Sequence, residues 1–141
     1  MLRALFALVL LFGLSGSVTA GSLNDSDRSE FRRIISEQIE AFRADDGDRA
    51  YSLAAPTIHR LFPTPEIFMQ MVRQGYKPVY RPQKFDFGET GDDSLGRPSQ
   101  RVTIVGPDGK TYEALYSMEQ QPDGSWRIFG CTLLNMPGLD A

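Results

Sequence analysis

The sequence predicts an α+β domain, with one long N-terminal helix and several short helices packed on a curved antiparallel sheet of about four strands. Before residue 75, apolar residues recur at helical spacings of three and four. After residue 83 the period changes to two, and hairpin turns separate the apolar runs. Helices followed by antiparallel strands form two layers around one hydrophobic core.

The first twenty residues have the order of parts of a secretory signal peptide. Arg3 supplies a positive charge, residues 4–14 form an almost unbroken apolar run, and Val18-Thr19-Ala20 is a small-residue cleavage site. The run is too short for a membrane-spanning helix, which needs ~20 apolar residues. The sequence therefore predicts a periplasmic or secreted protein, cleaved between Ala20 and Gly21 and free of the membrane afterwards. Residues 21–28 are expected to be a flexible leader.

Composition narrows the classes of partner and cofactor. Without residues 1–20 the chain has 14 basic and 18 acidic residues, a formal charge of −4, and no basic block. A chain with this charge has no basic patch that would attract nucleic acid or an anionic membrane surface. The chain has one cysteine and one histidine. An internal disulfide is therefore excluded, and no metal-ligand spacing exists, so we expect no cofactor.

The first helix is predicted to begin near Ser26 or Asp27, with Glu30 placed for a capping box, and to end at Gly47. Its apolar positions share one face: Phe31, Ile34, Ile35, Ile39 and Phe42. Short helices are expected over 48–54 and 57–62. Another is expected to begin at Thr64, a capping residue followed by a proline at the first helical position.

Residues 73–88, called the hinge here, join the helices to the sheet. Gly75 is expected to end a helix in the left-handed conformation. Pro78 and Pro82 bias Lys77 and Arg81 toward extended backbone, so the chain should enter the edge of the sheet here.

The strands are expected to form an antiparallel meander, because glycine-containing turns separate them. They are predicted over 79–87, 100–105, 110–120 and 125–134. Strict alternation along the last strand places Trp126, Ile128 and Leu134 on one face and Phe129, Cys131 and Leu133 on the other. Both faces are then apolar, so we expect a homodimer through the convex face of the sheet.

Several segments resemble the bacterial family called domain of unknown function 4864. The most specific is Gly75-Tyr76-Lys77-Pro78-Val79-Tyr80-Arg81-Pro82, and the Asp-Gly-x-Trp-Arg-Ile pattern at 123–128 accompanies it. The resemblance covers about residues 29 to 138, which implies one domain there. Such families are similar to the nuclear-transport-factor-2-like superfamily, which includes ketosteroid isomerase and polyketide cyclases. This likeness implies a cone-shaped domain with a conical pocket, but it implies no activity, since that fold has many functions.

Two tyrosines are candidate catalytic or ligand-binding residues. Tyr112 and Tyr116 share one face of a strand, and enzymes of this fold pair such phenols with a carboxylate base. Glu113 and Glu119 have the opposite parity, so no base accompanies the tyrosines. Packing in the core with satisfied hydroxyls is the alternative.

Two single residues are weaker candidates. His59 has no acidic residue three or four positions away to orient it as a catalytic base, so it is a surface residue in the alternative interpretation. Cys131 has no neighbouring cysteine or cation to lower its pKa, which favours a small buried apolar group.

The hinge supplies the remaining candidates. Tyr76, Tyr80 and Arg81 place aromatic rings beside a cation, together with Arg73 and Lys77, where an anionic or aromatic small molecule could bind. In the alternative, the tyrosines cover the open end of the core and the cations lie in solvent.

The sequence therefore predicts a non-catalytic module that binds a small ligand or an envelope protein. Two alternatives stay open. One is a cofactor-free isomerase, dehydratase or cyclase that uses pocket tyrosines, and the other is a structural homodimer whose cone is filled by side chains.

Overall fold

The computed structural model describes residues 23–135. The helices come first: α1 (Asp25–Arg43), α2 (Gly47–Ser52), α3 (Pro56–Leu61), α4 (Pro65–Gly75) and α5 (Lys77–Tyr80). The strands follow: β1 (Lys84–Asp92), β2 (Pro98–Val105), β3 (Thr111–Gln120) and β4 (Trp126–Asn135). This order confirms the α+β class. The expected signal peptide, the start of the leader and residues 136–138 of the expected domain lie outside the described residues.

The four strands form one open antiparallel sheet in the order β1-β2-β3-β4, as the predicted meander requires. Gly109 and Gly124 adopt positive φ in the β2–β3 and β3–β4 turns, at 76° and 88°, a conformation that costs energy for residues with a Cβ atom. The edges of the sheet are β1 and β4. Within residues 23–135, no helix is long and apolar enough to span a membrane.

The core lies between the helices and one face of the sheet. Phe31 of α1 is fully buried, and its ring packs edge-on against Trp126 of β4 with 4.9 Å between centroids. The Trp126 indole N–H donates to Asp27 at 3.2 Å, so one side chain joins the first helix to the last strand. Other fully buried side chains of this layer are Ile34, Ile35, Ile39, Val102, Ile104 and Met118.

The ends of α1 differ from the prediction. Asn24, rather than Ser26 or Asp27, caps the helix, and it forms a reciprocal capping box with Asp27. Glu30 instead pairs with Arg33 one turn along. At the other end, Asp45 takes the left-handed conformation with φ of 51°, while Gly47 begins α2.

The hinge also differs, although the chain does pass here from a helix to an edge strand. Lys77–Tyr80 forms the short helix α5 instead of extended backbone, since proline is tolerated in the first helical turn, where its missing N–H is not needed. Gly75 ends α4 without positive φ. The cap at Thr64 is confirmed, because its hydroxyl accepts from the Ile67 amide at 3.2 Å.

A bulge in β4 corrects the predicted faces of that strand. Ser117 pairs with Gly130, but Met118 pairs with Ile128, so Phe129 is an extra residue. Because each added residue exchanges the faces, Cys131 and Leu133 share the helix-facing side with Trp126 and Ile128. Leu134 lies on the outer side with its neighbour Glu113, instead of beside Trp126.

Candidate functional site

A cleft of about 630 Å³, the β4 cleft, lies between the short helices and edge strand β4. Its helical wall is apolar and includes Ile58, Phe62, Phe68 and Met71. Its sheet wall includes Tyr116, Gly130 and Cys131, and the cleft continues past the edge of β4 toward Leu115 and Leu134 on the outer face. Its volume is typical of small-molecule sites, which measure about 300–1,000 Å³.

The cleft opens where β4 loses its contact with the helical layer. The Ile128 amide donates to Leu53 at 2.9 Å, and the Ala55 amide donates to the Ile128 carbonyl at 2.8 Å, so the edge of β4 is paired at this point. The bulge at Phe129 follows at once and bends the strand. Gly130 adds no side chain, and a Cβ atom there would meet no heavy atom within 4 Å.

The sheet wall contains a buried hydroxyl without a partner. Tyr116 is 1% exposed, and its hydroxyl forms no hydrogen bond among the described residues. The Cys131 thiol is close enough to affect the pKa of Tyr116, but the two groups do not meet in hydrogen-bonding geometry. The Oε1 atom of Gln100, the cross-strand partner of Tyr116, is also unpartnered. Such groups are rare in folded proteins, because leaving one unpaired costs about 1–3 kcal/mol.

Two neighbouring polar side chains in the cleft already form hydrogen bonds within the protein. The Tyr76 hydroxyl donates to the Cys131 carbonyl at 3.1 Å, which joins the end of α4 to β4. The Gln38 amide donates to the Ala50 carbonyl at 3.2 Å. Among these side chains, Tyr116 is therefore the one whose hydroxyl is buried without a partner.

The titratable groups of the sheet wall are uncharged at neutral pH. Burial raises the pKa of Tyr116 well above its ordinary value, and the nearby Cys131 adds to the effect. Burial also raises the pKa of the Cys131 thiol to about 12, and it raises the pKa of Tyr76. Neither the phenols nor the thiol is a ready nucleophile under these conditions, since thiolate is the reactive form of cysteine.

Charged groups lie at the outer end of the cleft and pair with each other. Asp93 accepts from the Leu95 and Arg97 amides at 2.8 and 2.9 Å and from the Ser117 hydroxyl at 2.8 Å. Burial alone would raise the pKa of Asp93, but these bonds and the Arg97 guanidinium, 3.8 Å away, hold it below its usual value. Arg97 also lies over the Phe129 ring, 4.1 Å from its centroid.

Two of the predicted site residues, Tyr76 and Tyr116, lie in the β4 cleft. Tyr112 shares the strand face of Tyr116, but its hydroxyl donates to Asp108 of the β2–β3 turn at 2.7 Å, outside the cleft lining. His59 lies on α3, with its ring stacked on Tyr51 at 3.9 Å and its Nε2 atom 2.7 Å from the Tyr51 carbonyl. No carboxylate contacts this ring among residues 23–135.

Tyr80 and Arg81 belong to a separate group, the hinge cluster of Asp45, Arg73, Tyr80 and Arg81. The Tyr80 hydroxyl donates to Asp45, and Arg81 contacts the same carboxylate at 3.0 Å. The guanidinium of Arg81 also lies over the Tyr80 ring, 4.0 Å from its centroid, and donates to the Phe42 carbonyl. Arg73 donates to the Tyr80 hydroxyl at 3.2 Å. The cluster thus fastens α5 to the α1–α2 connection.

Most of the cleft lining could not be recognised in the sequence. Phe62, Phe68 and Met71 have the helical spacing of ordinary core residues. Gly130 gave a usable signal, because an isolated glycine within a strand pattern suggests a bulge. Within the described part of the chain, no group of three histidine, cysteine or acidic residues could hold a metal ion.

Comparison with known proteins identifies the family. No curated protein and no solved structure matches the chain. A family model described as "Domain of unknown function (DUF4864)" matches residues 24–141, which is most of the chain and includes every described helix and strand. The resemblance seen in the hinge sequence is therefore confirmed, and the chain belongs to the DUF4864 family.

Proposed function

We propose that this protein is an exported, non-catalytic module that holds a small ligand in the β4 cleft. The observation that carries the proposal is that Tyr116, whose buried hydroxyl has no partner, lines a largely apolar cleft of about 630 Å³. Small-molecule sites combine these two features, an apolar lining and a few placed polar groups. The cleft also argues against a structural dimer whose interior is filled by side chains.

An isomerase, dehydratase or cyclase is the alternative, with Tyr116 as hydrogen-bond donor to a developing oxyanion. This chemistry also requires a base. Asp93 is the carboxylate among the described lining residues, and it is bonded to Ser117, which faces away from Tyr116 on β3. We therefore favour binding without catalysis.

We also propose a place in the nuclear-transport-factor-2-like superfamily, with a cone-shaped domain. The long helix α1 and the short helices on one face of an antiparallel sheet support it. A crystal structure that superposes on domains of another superfamily would overturn this placement.

Export is supported by the sequence of residues 1–20. Mass spectrometry of the protein released from the envelope should find a chain that begins at Gly21. A chain that retains Met1 and stays in the cytoplasm would contradict export.

The binding proposal is tested by thermal shift of the chain from Gly21 to Ala141 against uncharged metabolites, lipids and organic anions. A ligand at 100 times its Kd adds about 2.7 kcal/mol, a shift of several degrees for a domain of this size. The variant Ile58→Trp enlarges a side chain of the helical wall of the cleft and should abolish the shift. Ile67→Trp is the matched control, since Ile67 is exposed on α4 and lies outside the cleft lining.

Two results would count against binding in the cleft. One is a shift that survives Ile58→Trp unchanged. The other is a folded protein that responds to no compound, which would direct attention to an envelope protein as the partner.

A further inference from the structure

The inference concerns which ligands the β4 cleft accepts, and it rests on the proposed function because it concerns the same site. We propose that the cleft selects an uncharged ligand, an apolar body that carries a hydrogen-bond acceptor such as a ketone or amide carbonyl. The Tyr116 hydroxyl donates the hydrogen bond to that acceptor.

The unpartnered hydroxyl supplies the polar half of this specificity. Tyr116 is 1% exposed and lines the cleft, so water does not reach its hydroxyl freely. A buried donor without a partner is costly, and a ligand acceptor placed against it removes that cost. Sites built in this way discriminate strongly against analogues that lack the matching polar group, because the protein group is then left unpaired.

The ligand atom should be an acceptor, since the polar groups of the sheet wall carry protons. Phenols and thiols are protonated where burial raises the pKa, as at Tyr116 and Cys131. The other phenol, Tyr76, already donates to the Cys131 carbonyl. An acceptor that enters the cleft therefore finds one free phenolic donor and a weak thiol donor beside it.

The ligand should also be uncharged. Arg97 and Asp93 are the charged side chains among the described lining residues, and they pair with each other at the outer end. The helical wall is formed by groups such as Phe62, Phe68 and Met71. A carboxylate on the ligand would lose its hydration there without gaining a cation as partner.

Three fluorescent probes of nearly equal size test the inference at neutral pH. The first is propionyl-dimethylaminonaphthalene, a neutral ketone. The second is its propyl analogue, which lacks the carbonyl, and the third is the naphthoate analogue, which carries a carboxylate. Each is titrated against the chain from Gly21 to Ala141 and against Tyr116→Phe, with Tyr112→Phe as a control whose lost hydroxyl lies outside the cleft.

We expect the ketone to bind the unmodified protein, and Tyr116→Phe to weaken that binding about five- to tenfold, the effect of one lost hydrogen bond. The same change should leave binding of the propyl analogue unaltered or slightly tighter. The naphthoate should bind more weakly than the ketone, and Tyr112→Phe should change none of the three affinities.

The failures are distinguishable. If the probes bind but Tyr116→Phe affects the ketone and the propyl analogue equally, the selectivity for an acceptor is wrong while the binding proposal stands. Tighter binding of the naphthoate than of the ketone would likewise overturn the preference for uncharged ligands. If none of the three binds, both proposals fail. Folding is not a confounding factor, since Tyr116→Phe removes no hydrogen bond and should not lower the Tm.

Discussion

Two weak acids of the β4 cleft, the half-buried Cys131 and the buried Tyr116, should make the fold sensitive to alkaline pH. The pKa of the thiol rises from 9.0 to about 12 on burial. Below pH 9 the Cys131 thiol is protonated in both the folded and the unfolded chain. The free energy of unfolding is therefore not reduced by its ionisation in this range. Between pH 9 and pH 12 the unfolded chain ionises first, and the free energy of unfolding should fall by up to about 1.4 kcal/mol per pH unit.

Chemical unfolding at a series of pH values measures this loss. The variant Cys131→Ala should flatten the fall between pH 9 and pH 12, whatever its stability at pH 7, and Tyr116→Phe should reduce the part above pH 10. Equal reaction rates of Cys131 with a thiol reagent at pH 8 in the folded and unfolded states would show that the thiol is not protected.

The hinge cluster should stabilise the fold without contributing to the cleft. Tyr80→Phe removes hydrogen bonds to Asp45 and Arg73 and should lower the free energy of unfolding slightly, since both partners are exposed to solvent. Denaturant unfolding gives the stability change, and probe titration gives the affinity, which should stay constant. A loss of ligand affinity at unchanged stability would instead support the ligand role that the sequence suggested for Tyr80 and Arg81.

Tyr112 and Tyr116 show how much of the candidate site can be predicted from the sequence. Strand alternation placed Tyr112 and Tyr116 on one face, and the structure has them there. Alternation does not say which of the two lies opposite a gap between helices. That depends on where Leu53 and Ala55 pair with β4, a contact between residues about 75 positions apart that no local pattern reveals.

The sequence predicts the type of each helix and strand well, but it predicts the residues at which they begin and end less well. Each predicted helix and strand has a counterpart, because spacing and turn glycines are local signals. The bulge at Phe129 was missed, and this single extra residue reversed the assignment of Cys131 and Leu133. The helix α5 was missed because Pro78 suggested extended backbone, whereas it occupies a first helical turn.

The corrected cap of α1 gives a test of that helix. Asn24→Ala removes the side-chain acceptor for the Asp27 amide and half of the capping box, so it should cost about 1 kcal/mol. Ser26→Ala, an exposed change in the first turn of the same helix, should have little effect. Equal stabilities of the two variants in denaturant unfolding would mean that the box does not hold the helix end.

The assembly of the molecule depends on the outer face of the sheet. With Cys131 and Leu133 on the helix-facing side, the outer face is less apolar than the sequence suggested, but Leu134 is still 49% exposed there. We propose that a second copy covers this face, as the sequence led us to expect. Light scattering after size exclusion should then find a dimer that Leu134→Asp dissociates, whereas a monomer at all concentrations would refute it.

The claim that the β4 cleft binds an uncharged ligand is tested most directly by methyl NMR of methionine-labelled protein. Met71 lines the cleft, while the buried Met69 and Met118 lie outside its lining and serve as internal references. On titration with the neutral naphthyl ketone, the Met71 methyl signal should shift and saturate while the other two stay nearly fixed. Shifts of Met69 without Met71, or no shift at any concentration, would contradict the account.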